Sequence, residues 1–391
     1  MSLRGSSPSV VRGALETGDP LPGGAGFAGV VDGLLVRDVL GRVPLFVDRS
    51  GQVSVSDGWA FEPTDLEDPV LVPAGTATSL ETLAGDVSRL HSKSPTSAFE
   101  RRWRLPEPDP EADPDAALES LDRAIRTATD TVRADDRDVA VAFSGGVDSA
   151  LVAERLDAPL YVVGFPDSHD VEAARSAAAA MDRELTVVEL EPADLERAVP
   201  AVARAIGRTN AMDVQIALPL SLVGERVAAD GYDALAVGQG ADELFGGYEK
   251  VVHLDHRVDA DTTRGAVRES ILTLPDQLPR DVLAIEATGL EPVAPLLYDA
   301  VVDAALRLPD ALLADEERRK RGFRRVAGRY LPEEVTDRNK KAVQYGSLVA
   351  RELDRLARQN GYKRRIGDHV TKYIESLLDD PVRTATDRDS R

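Results

Sequence analysis

The first hundred residues carry short runs in which apolar residues are continuous or alternate with polar ones. Runs of this length and spacing are typical of β-strands, and glycine-containing turns separate them. The predicted strands cover residues 33–38, 43–47 and 53–56. This part of the chain is therefore predicted to be small and mainly β.

A polar stretch at residues 104–114 is dense in proline. Prolines at this density cannot continue a helix or a central strand, and the composition is typical of a linker. We therefore predict two domains, residues 1–105 and residues 106–391. The length of 391 residues fits this division, because a domain usually has about 150 residues.

After the linker, apolar runs of strand length alternate with stretches of helical spacing. A helix is predicted at 116–132, with Asp113 and Asp115 both eligible as its N-cap. Further strands are predicted at 139–143, 160–165, 185–190 and 234–237, and further helices at 149–156, 170–181 and 194–206. Strands that are apolar on both faces predict an α/β fold, a parallel sheet with helices on both faces. From about residue 260 the pattern is mainly helical, ending in a charged tail expected to fray.

The composition excludes several classes of site. The chain has no cysteine, so it has no disulfide, no thiolate metal site and no cysteine nucleophile. Its net charge of −21 argues against non-specific binding of nucleic acid, because phosphate backbones bind basic surfaces. No apolar stretch reaches the roughly 18 residues that a membrane span needs. The expectation is a soluble, cytoplasmic protein.

The basic residues are unevenly composed, since only seven are lysines. Many acidic residues with few lysines favour a protein kept in solution at high salt, where a Debye length of about 3 Å screens the self-repulsion. The alternative is an ordinary acidic protein. Neither interpretation bears on the reaction.

A glycine-rich turn lies between the first strand of the second part and the helix that follows. The turn has the sequence Ser144-Gly145-Gly146-Val147-Asp148-Ser149. Its glycines make the backbone flexible, its two serines supply hydroxyl groups, and the start of the following helix supplies free N–H groups. Such a turn binds anions at the carboxyl end of a parallel strand. Asp148 would repel phosphate unless Mg2+ bridges the two. The prediction is a pyrophosphate-binding loop, and the alternative is a plain strand-to-helix turn.

Residues 140–150 resemble the pyrophosphate loop of the ATP pyrophosphatases, the PP-loop enzymes, which activate a carboxylate or carbonyl by adenylylation. Residues 237–248, which again follow an apolar strand, resemble the GxGxDExFGGY segment of the asparagine synthetase family. The resemblance implies an adenine-nucleotide α-hydrolase-like domain with a helical C-terminal part. It makes Asp242 the second magnesium ligand, opposite Asp148.

The resemblance also implies a nucleotide site built from the ends of three strands. Backbone at the ends of the first two strands would hold adenine and ribose, and the glycine-rich loop would hold the β- and γ-phosphates. The implied ATP-binding residues are Ala142, Phe143, Ser144, Gly145, Gly146, Val147, Asp148, Ser149, Val163, Gly164, Val237, Gly238 and Gln239.

Two further segments resemble the same family. Residues 289–299 resemble the GVEARVPFLD segment that lines the amino-acid pocket, although Val293 stands where an arginine is expected. Residues 338–346 resemble the segment whose lysine contacts the α-phosphate, a role that falls on Lys340, with Lys341 as the rival.

One departure concerns the acid–base chemistry. The family has a glutamate, credited with deprotonating ammonium, where this chain has Gln239. An amide cannot accept a proton at neutral pH, so Glu243 or Glu291 is expected to take over, or the nucleophile differs.

Residues 36–46 resemble the RDxxGxxPLYY hairpin of the family's glutaminase domain, and residues 72–76 and Trp103 fit its later landmarks. That Ntn-type domain needs an N-terminal thiol nucleophile with the α-amine as base, which neither Met1 nor Ser2 supplies. The first part is therefore expected to be a shortened, catalytically dead remnant. Ammonia would come from solution or from a separate partner.

The implied function is adenylylation of aspartate by Mg-ATP and amidation by ammonia, giving asparagine, AMP and pyrophosphate. One alternative is the same chemistry on another acceptor, such as tRNA or a different acid. A second is an ATP-binding regulator without catalysis. The sequence leaves the oligomeric state open, and a homodimer is compatible with it.

Weaker patterns are interpreted as structural. Residues 24–29 match a dinucleotide fingerprint but lack the preceding strand. His253 and His256 have no third ligand nearby for a metal. The basic run at 318–325 is interpreted as a solvated helix face near the mouth of the site, with an anionic contact as the alternative.

Overall fold

The computed structural model describes residues 2–50, 57–85, 90–91, 95–253, 259–338, 347–364 and 367–379. The strand predicted at 53–56 lies outside these ranges, as do His256 and both lysines of the segment at 338–346. Nearly all of the charged tail also lies outside them. Within the described residues, no helix is both long and apolar enough to cross a membrane.

The N-terminal part is mainly β, as predicted, and forms two small antiparallel sheets. Their spatial orders are β1-β2-β3-β7 and β5-β4-β6. The strand predicted at 43–47 is observed at Phe46–Asp48. The elements are β1 (Leu3–Arg4), α1 (Pro8–Thr17), β2 (Ala28–Val31), β3 (Leu34–Arg37), β4 (Phe46–Asp48), β5 (Trp59–Ala60), β6 (Pro69–Leu71), β7 (Thr76–Ser79) and α2 (Leu80–Gly85).

A five-stranded, fully parallel sheet forms the centre of the molecule, in the order β10-β9-β8-β11-β12. Its strands are β8 (Val139–Ala142), β9 (Leu160–Gly164), β10 (Leu185–Glu189), β11 (Ala234–Ala236) and β12 (Glu291–Val293). The four strands predicted from apolar runs are confirmed. The three-residue edge strand β12 was not predicted, because its proline interrupts the apolar pattern.

The helices of this part cover both faces of the sheet. They are α3 (Pro114–Ala134), α4 (Val147–Leu156), α5 (His169–Ala180), α6 (Pro192–Ile206), α7 (Ala211–Ala229), α8 (Ala241–Phe245), α9 (Glu249–His253), α10 (Thr263–Ile271), α11 (Leu274–Glu286), α12 (Asp299–Leu306), α13 (Arg321–Ala327), α14 (Glu333–Thr336), α15 (Val349–Gln359) and α16 (His369–Leu378). The predicted helices lie within three residues of these bounds, and Asp113 is the N-cap of α3.

Alternate residues of the central strands belong to two separate hydrophobic clusters. Val141 and Val162 pack with α3, α4, α5 and α12, whereas Ala140 and Tyr161 pack with α6, α7 and α11. Because successive side chains of a strand point to opposite faces, these clusters are the two faces of the sheet. The predicted α/β architecture is confirmed.

The linker is extended, but it is tied to the second part of the chain. Arg264 donates a hydrogen bond to the carbonyl of Pro108, and Arg268 donates to those of Pro106 and Leu105. Trp103 shares a hydrophobic cluster with α3, so the core continues across this region. The boundary at residue 105 stays a prediction.

Residues 36–46 join β3 of one sheet to β4 of the other rather than forming the hairpin that the resemblance implies, and two buried arginines hold this segment. The Arg37 guanidinium is fully buried and donates to the carbonyls of Gly41, Val43 and Val72. Its burial lowers its pKa to about 10. Arg42 pairs with Asp38 at 2.9 Å and with Asp299 at 2.6 Å. Asp299 begins α12, so Arg42 joins the N-terminal sheets to the second part.

Candidate active site

Two neighbouring strands deliver the sequence motifs to one edge of the sheet. β8 and β11 pair in parallel, with Ala236 opposite Val141, so the loops that follow them emerge side by side. The backbones approach closely here, since a Cβ on Gly238 would lie 2.7 Å from the Ser149 nitrogen. The carboxyl ends of adjacent parallel strands are the usual place for ligands in such sheets.

The glycine-rich loop has the geometry of an anion site. Gly145 has φ +70°, and a Cβ there would lie 2.5 Å from the Ala173 carbonyl, so the turn requires glycine. Gly146 is the N-cap of α4 and supplies no side-chain hydrogen bond to its first turn. The Oγ atoms of Ser144 and Ser149 lie 3.1 Å apart. Backbone N–H groups and two hydroxyls thus converge at a helix N-terminus.

A buried lysine connects the two predicted metal ligands. Lys320 Nζ lies 2.8 Å from both carboxylate oxygens of Asp148 and 2.7 Å from Oδ1 of Asp242. The residue is 5 % exposed and precedes α13 in a left-handed conformation, φ 56°. Burial opposes its charge, but the two carboxylates outweigh burial and raise the pKa of Lys320, so it is protonated at neutral pH.

The basic run at 318–325 is therefore only partly a solvated face, contrary to the expectation. Lys320 and Arg324 are buried, and Arg324 donates to the Arg319 carbonyl at 3.0 Å. Lys320 is one of only seven lysines in the chain, and this scarcity is the sequence signal that could have singled it out.

The pair Asp148 and Asp242 fits a divalent cation. Both carboxylates lie at hydrogen-bonding distance from the same ammonium group, that of Lys320. Mg2+ typically takes one or two carboxylates and completes its shell with phosphate oxygens and water. No cluster of three or more metal-ligating side chains occurs in the described ranges.

A cavity of about 230 Å3 opens beside this pair. The residues predicted for ATP or metal that line it are Ala142, Phe143, Ser144, Asp148, Ser149, Val163, Val237, Gly238, Gln239 and Asp242. Gly145, Gly146 and Val147 lie between Ser144 and Asp148 in the chain, and Gly164 follows Val163 as the last residue of β9. The lining also includes residues without a sequence signal, among them Asp170, Pro219 and Asp281.

Gln239 is engaged with a buried ion pair. Its side-chain amide donates to Asp281, which accepts from Arg280 Nε at 2.6 Å. Arg280 also donates to Asp213 at 3.0 Å. The amide of Gln239 therefore has an acceptor in this chain, in keeping with the absence of the family's glutamate.

The two proposed substitute bases do not line the nucleotide cavity. Glu243 is 5 % exposed and accepts a hydrogen bond from Tyr248, and burial raises its pKa. Glu291 lies opposite Ala234, at the starting end of the strands, where it pairs with Arg137. Glu291 is thus remote from Asp148 and Asp242, whereas Glu243 lies beside Asp242 and Lys320 but does not line the cavity. Lys340 and Lys341 lie outside the described residues.

Restoring the family's glutamate by Gln239→Glu is expected to destabilise the protein. The new carboxylate would face Asp281, whose pKa burial already raises, with no hydrogen to donate. A buried polar group left unpaired costs about 1–3 kcal/mol. The loss should be larger at pH 8 than at pH 5, because protonation of either carboxylate restores a donor.

Thermal unfolding at both pH values tests this expectation. Adding Asp281→Asn to Gln239→Glu returns an amide to the pair and should recover part of the loss at pH 8. Equal stability of the wild type and the single variant at pH 8 would contradict the described contact.

Comparisons with known proteins agree with the geometry. The family model described as asparagine synthase matches residues 119–272 and 254–386. The "Putative asparagine synthetase (glutamine-hydrolyzing) 1" of Methanocaldococcus jannaschii is 29% identical over 293 residues, which is 65% of this chain and 54% of that protein. The glutamine-hydrolysing asparagine synthetase B of Escherichia coli K12 is 25% identical over 335 residues, 79% of this chain and 57% of that protein.

The matched part of each relative is therefore little more than half of its length. The family model, in contrast, spans most of the second part of this chain, including the loops that follow β8 and β11 and also Lys320. The chain belongs to the asparagine synthase family.

Proposed function

We propose that this protein is an ATP-dependent, amide-forming ligase that adenylylates a carboxylate, with aspartate as the acceptor and ammonia as the nucleophile. The products are asparagine, AMP and pyrophosphate. The observation that carries the proposal is the buried Lys320 ammonium held between Asp148 and Asp242, beside the glycine-rich loop. A fixed cation next to two metal-binding carboxylates suits a reaction that releases pyrophosphate.

Each of the proposed site residues has a separate task in this proposal. The loop from Ser144 to Ser149 binds the β- and γ-phosphates through its N–H groups and hydroxyls. Asp148 and Asp242 would hold Mg2+, which would supply positive charge to neutralise and polarise the phosphates. Lys320 stabilises the negative charge of the leaving pyrophosphate. Lys340 keeps the α-phosphate role that the family resemblance implies.

The nitrogen source in this proposal is free ammonia or a separate ammonia-supplying partner. The 391 residues contain no cysteine, so they hold no thiol for the hydrolysis of glutamine. Glutamine is therefore expected not to replace ammonium in the reaction.

A different acceptor is the second candidate, and one observation favours it. Val293 stands in the segment that resembles the amino-acid pocket, where the family has an arginine, and its side chain lines a cavity behind Gln239. A pocket without that arginine has less charge to offer a carboxylate substrate. Another acid or a tRNA base would use the same ATP chemistry.

The test is pyrophosphate release from Mg-ATP in molar KCl, with aspartate and ammonium supplied together or singly. Release that needs both, with asparagine formed in equal amount, supports the proposal. Release with neither, or binding of ATP without release, contradicts it and directs the search to other acceptors or to a regulatory role.

The matched variants for this assay lie at the two ends of α4. Asp148→Asn is expected to abolish release, since it removes a ligand of the cation and a partner of Lys320. Asp157→Asn should leave release unchanged, because the Asp157 side chain is 79% exposed and lies at the far end of the helix.

A further inference from the structure

A cation position lies between Asp148 and Asp242, and the Lys320 ammonium occupies it. Lys320 Nζ lies 2.8 Å from each carboxylate oxygen of Asp148 and 2.7 Å from Oδ1 of Asp242. Oxygens from two carboxylates grouped around one point are also the arrangement that binds a divalent cation. Two cations cannot occupy one point, so this position holds either the ammonium or a metal ion.

The backbone around this position is shaped to admit the lysine side chain. A Cβ on Gly247 would overlap Oδ1 of Asp242 and would lie 2.5 Å from Cε of Lys320. Both side chains therefore lie directly against the Gly247 backbone, and a larger residue there would push them away. Arg319 Nη1 donates to the Gly247 carbonyl at 3.0 Å and ties the two segments together. The position of the ammonium is thus fixed by the fold.

The residues on either side of Lys320 are anchored through their backbones. The Arg319 carbonyl accepts a hydrogen bond from Arg324 Nε at 3.0 Å, and the Arg321 nitrogen donates to the Leu313 carbonyl at 2.8 Å. A lysine side chain carries its charge at the end of a flexible four-carbon stem. Rotation within this stem can therefore move the ammonium off the carboxylates while the backbone stays in place.

Departure of the ammonium requires a new partner for its charge. Lys320 is 5 % exposed, and a buried cation left without an anion is strongly destabilising. Free Mg2+ offers the ammonium no such partner and adds positive charge beside it. Phosphate oxygens at the glycine-rich loop do offer one, because Asp148 lies in the first turn of α4, whose N-terminus faces that anion site.

The charge of the whole chain gives this arrangement a purpose. A net charge of −21 attracts divalent cations to the protein, and two adjacent carboxylates would bind them in the absence of nucleotide. An ammonium supplied by the chain neutralises these carboxylates without a bound metal ion.

We propose that Lys320 stands in for the metal ion: its ammonium excludes free divalent cations from Asp148 and Asp242, and it transfers to phosphate oxygens when Mg-ATP binds. The inference rests on the proposed function, which supplies Mg-ATP as the incoming ligand, and it holds for any acceptor of the adenylyl group. The affinity of the two carboxylates for a metal ion then depends on nucleotide, and the Lys320 side chain causes this dependence.

The first measurement is the binding of Mn2+ without nucleotide, followed by the electron paramagnetic resonance signal of the free ion. Mn2+ is the probe because it takes the same oxygen ligands as Mg2+. We expect Lys320→Met to bind Mn2+ about tenfold more tightly than the wild type, or better, because no ammonium competes for the carboxylates. Adding Asp242→Asn to Lys320→Met should remove this gain.

Lys250→Met is the matched control for the loss of a nearby positive charge. Lys250 lies on α9 with its Nζ 5.5 Å from the centre of the Tyr248 ring, and among the described contacts it pairs with neither candidate metal ligand. Its affinity for Mn2+ should stay within about twofold of the wild type, because salt screens a charge that is partly exposed.

The unreactive analogue β,γ-methylene-ATP should reverse the sign of the effect. Lys320→Met should bind the Mg2+ complex of this analogue about tenfold more weakly than the wild type, because the phosphates lose a charged hydrogen-bond donor. A variant that failed to fold would lose both affinities, so a gain for free Mn2+ together with a loss for the complex excludes that explanation.

Nitrogen-15 NMR of the lysine ammonium groups follows the transfer itself. The Lys320 signal is identified by its absence from Lys320→Met. It should be unchanged by Mg2+ alone and should shift when Mg2+ and β,γ-methylene-ATP are added together.

Equal Mn2+ affinity in the wild type and Lys320→Met would overturn the inference. A Lys320 signal that stays unchanged when the Mg2+ complex of the analogue binds would overturn it as well. Failure of the wild type to release pyrophosphate with aspartate and ammonium contradicts the proposed function instead, because the Mn2+ measurements involve no turnover.

Discussion

Replacing Lys320 with methionine is expected to reduce pyrophosphate release by about 100- to 1,000-fold, the usual loss when one fixed electrostatic partner of a transition state is removed. The ammonium lies within 2.8 Å of both Asp148 and Asp242. Without it, the carboxylates repel each other and the leaving pyrophosphate loses a cation. Methionine has a similar length and the same backbone cost in the left-handed conformation, so the comparison isolates the charge.

Lys320→Met should also change how stability depends on pH and on Mg2+. The two carboxylates lose their shared cation, so their pKa values rise in the folded state. The variant should therefore lose stability, relative to the wild type, as the pH rises from about 4 to 8 in the absence of Mg2+. Added Mg2+ should stabilise the variant more than the wild type, because it supplies the missing positive charge.

Arg321→Met is the control for this variant. Arg321 is the next residue, is only partly buried, and pairs with Asp315 rather than with the candidate metal ligands. We expect its rate of pyrophosphate release to match the wild type. Full activity of Lys320→Met, or the same loss in both variants, would show that Lys320 does not act through Asp148 and Asp242.

Replacing Arg42 with methionine is expected to destabilise the protein by about 3–5 kcal/mol, the usual cost of breaking a buried ion pair by removing one partner. Arg42 bridges Asp38 and Asp299, which are 0 % and 2 % exposed. Its loss leaves two buried carboxylates without a cation. Because Asp299 lies at the start of α12, the substitution also breaks the link between the N-terminal sheets and the second part.

Urea unfolding followed by tryptophan fluorescence measures this effect, since Trp103 is buried in the cluster that connects the two parts. The matched control is Arg12→Met, which breaks an exposed pair with Asp32 and should leave the unfolding midpoint unchanged. A midpoint in Arg42→Met equal to that of the control would contradict the bridging role.

Four of the five strands of the central sheet, the helices between them and two of the functional loops could be predicted from the sequence alone. The spacing of hydrophobic residues along the chain is a local property, so it predicted the alternation of strands and helices. That alternation in turn predicted a parallel sheet. The pyrophosphate loop and the segment at 237–248, which contains Asp242, could also be predicted, because each is a contiguous motif directly after an apolar strand. Their meeting at one sheet edge required only that both strands be parallel.

Which charged side chains serve the site depends on long-range packing that the sequence does not show. Lys320 lies 172 residues from Asp148, and Gln239 lies 42 residues from Asp281, so neither contact has a local signature. A basic run looks the same in sequence whether its members are solvated or buried. Burial and long-range pairing set these charges, and both arise only when distant segments pack together.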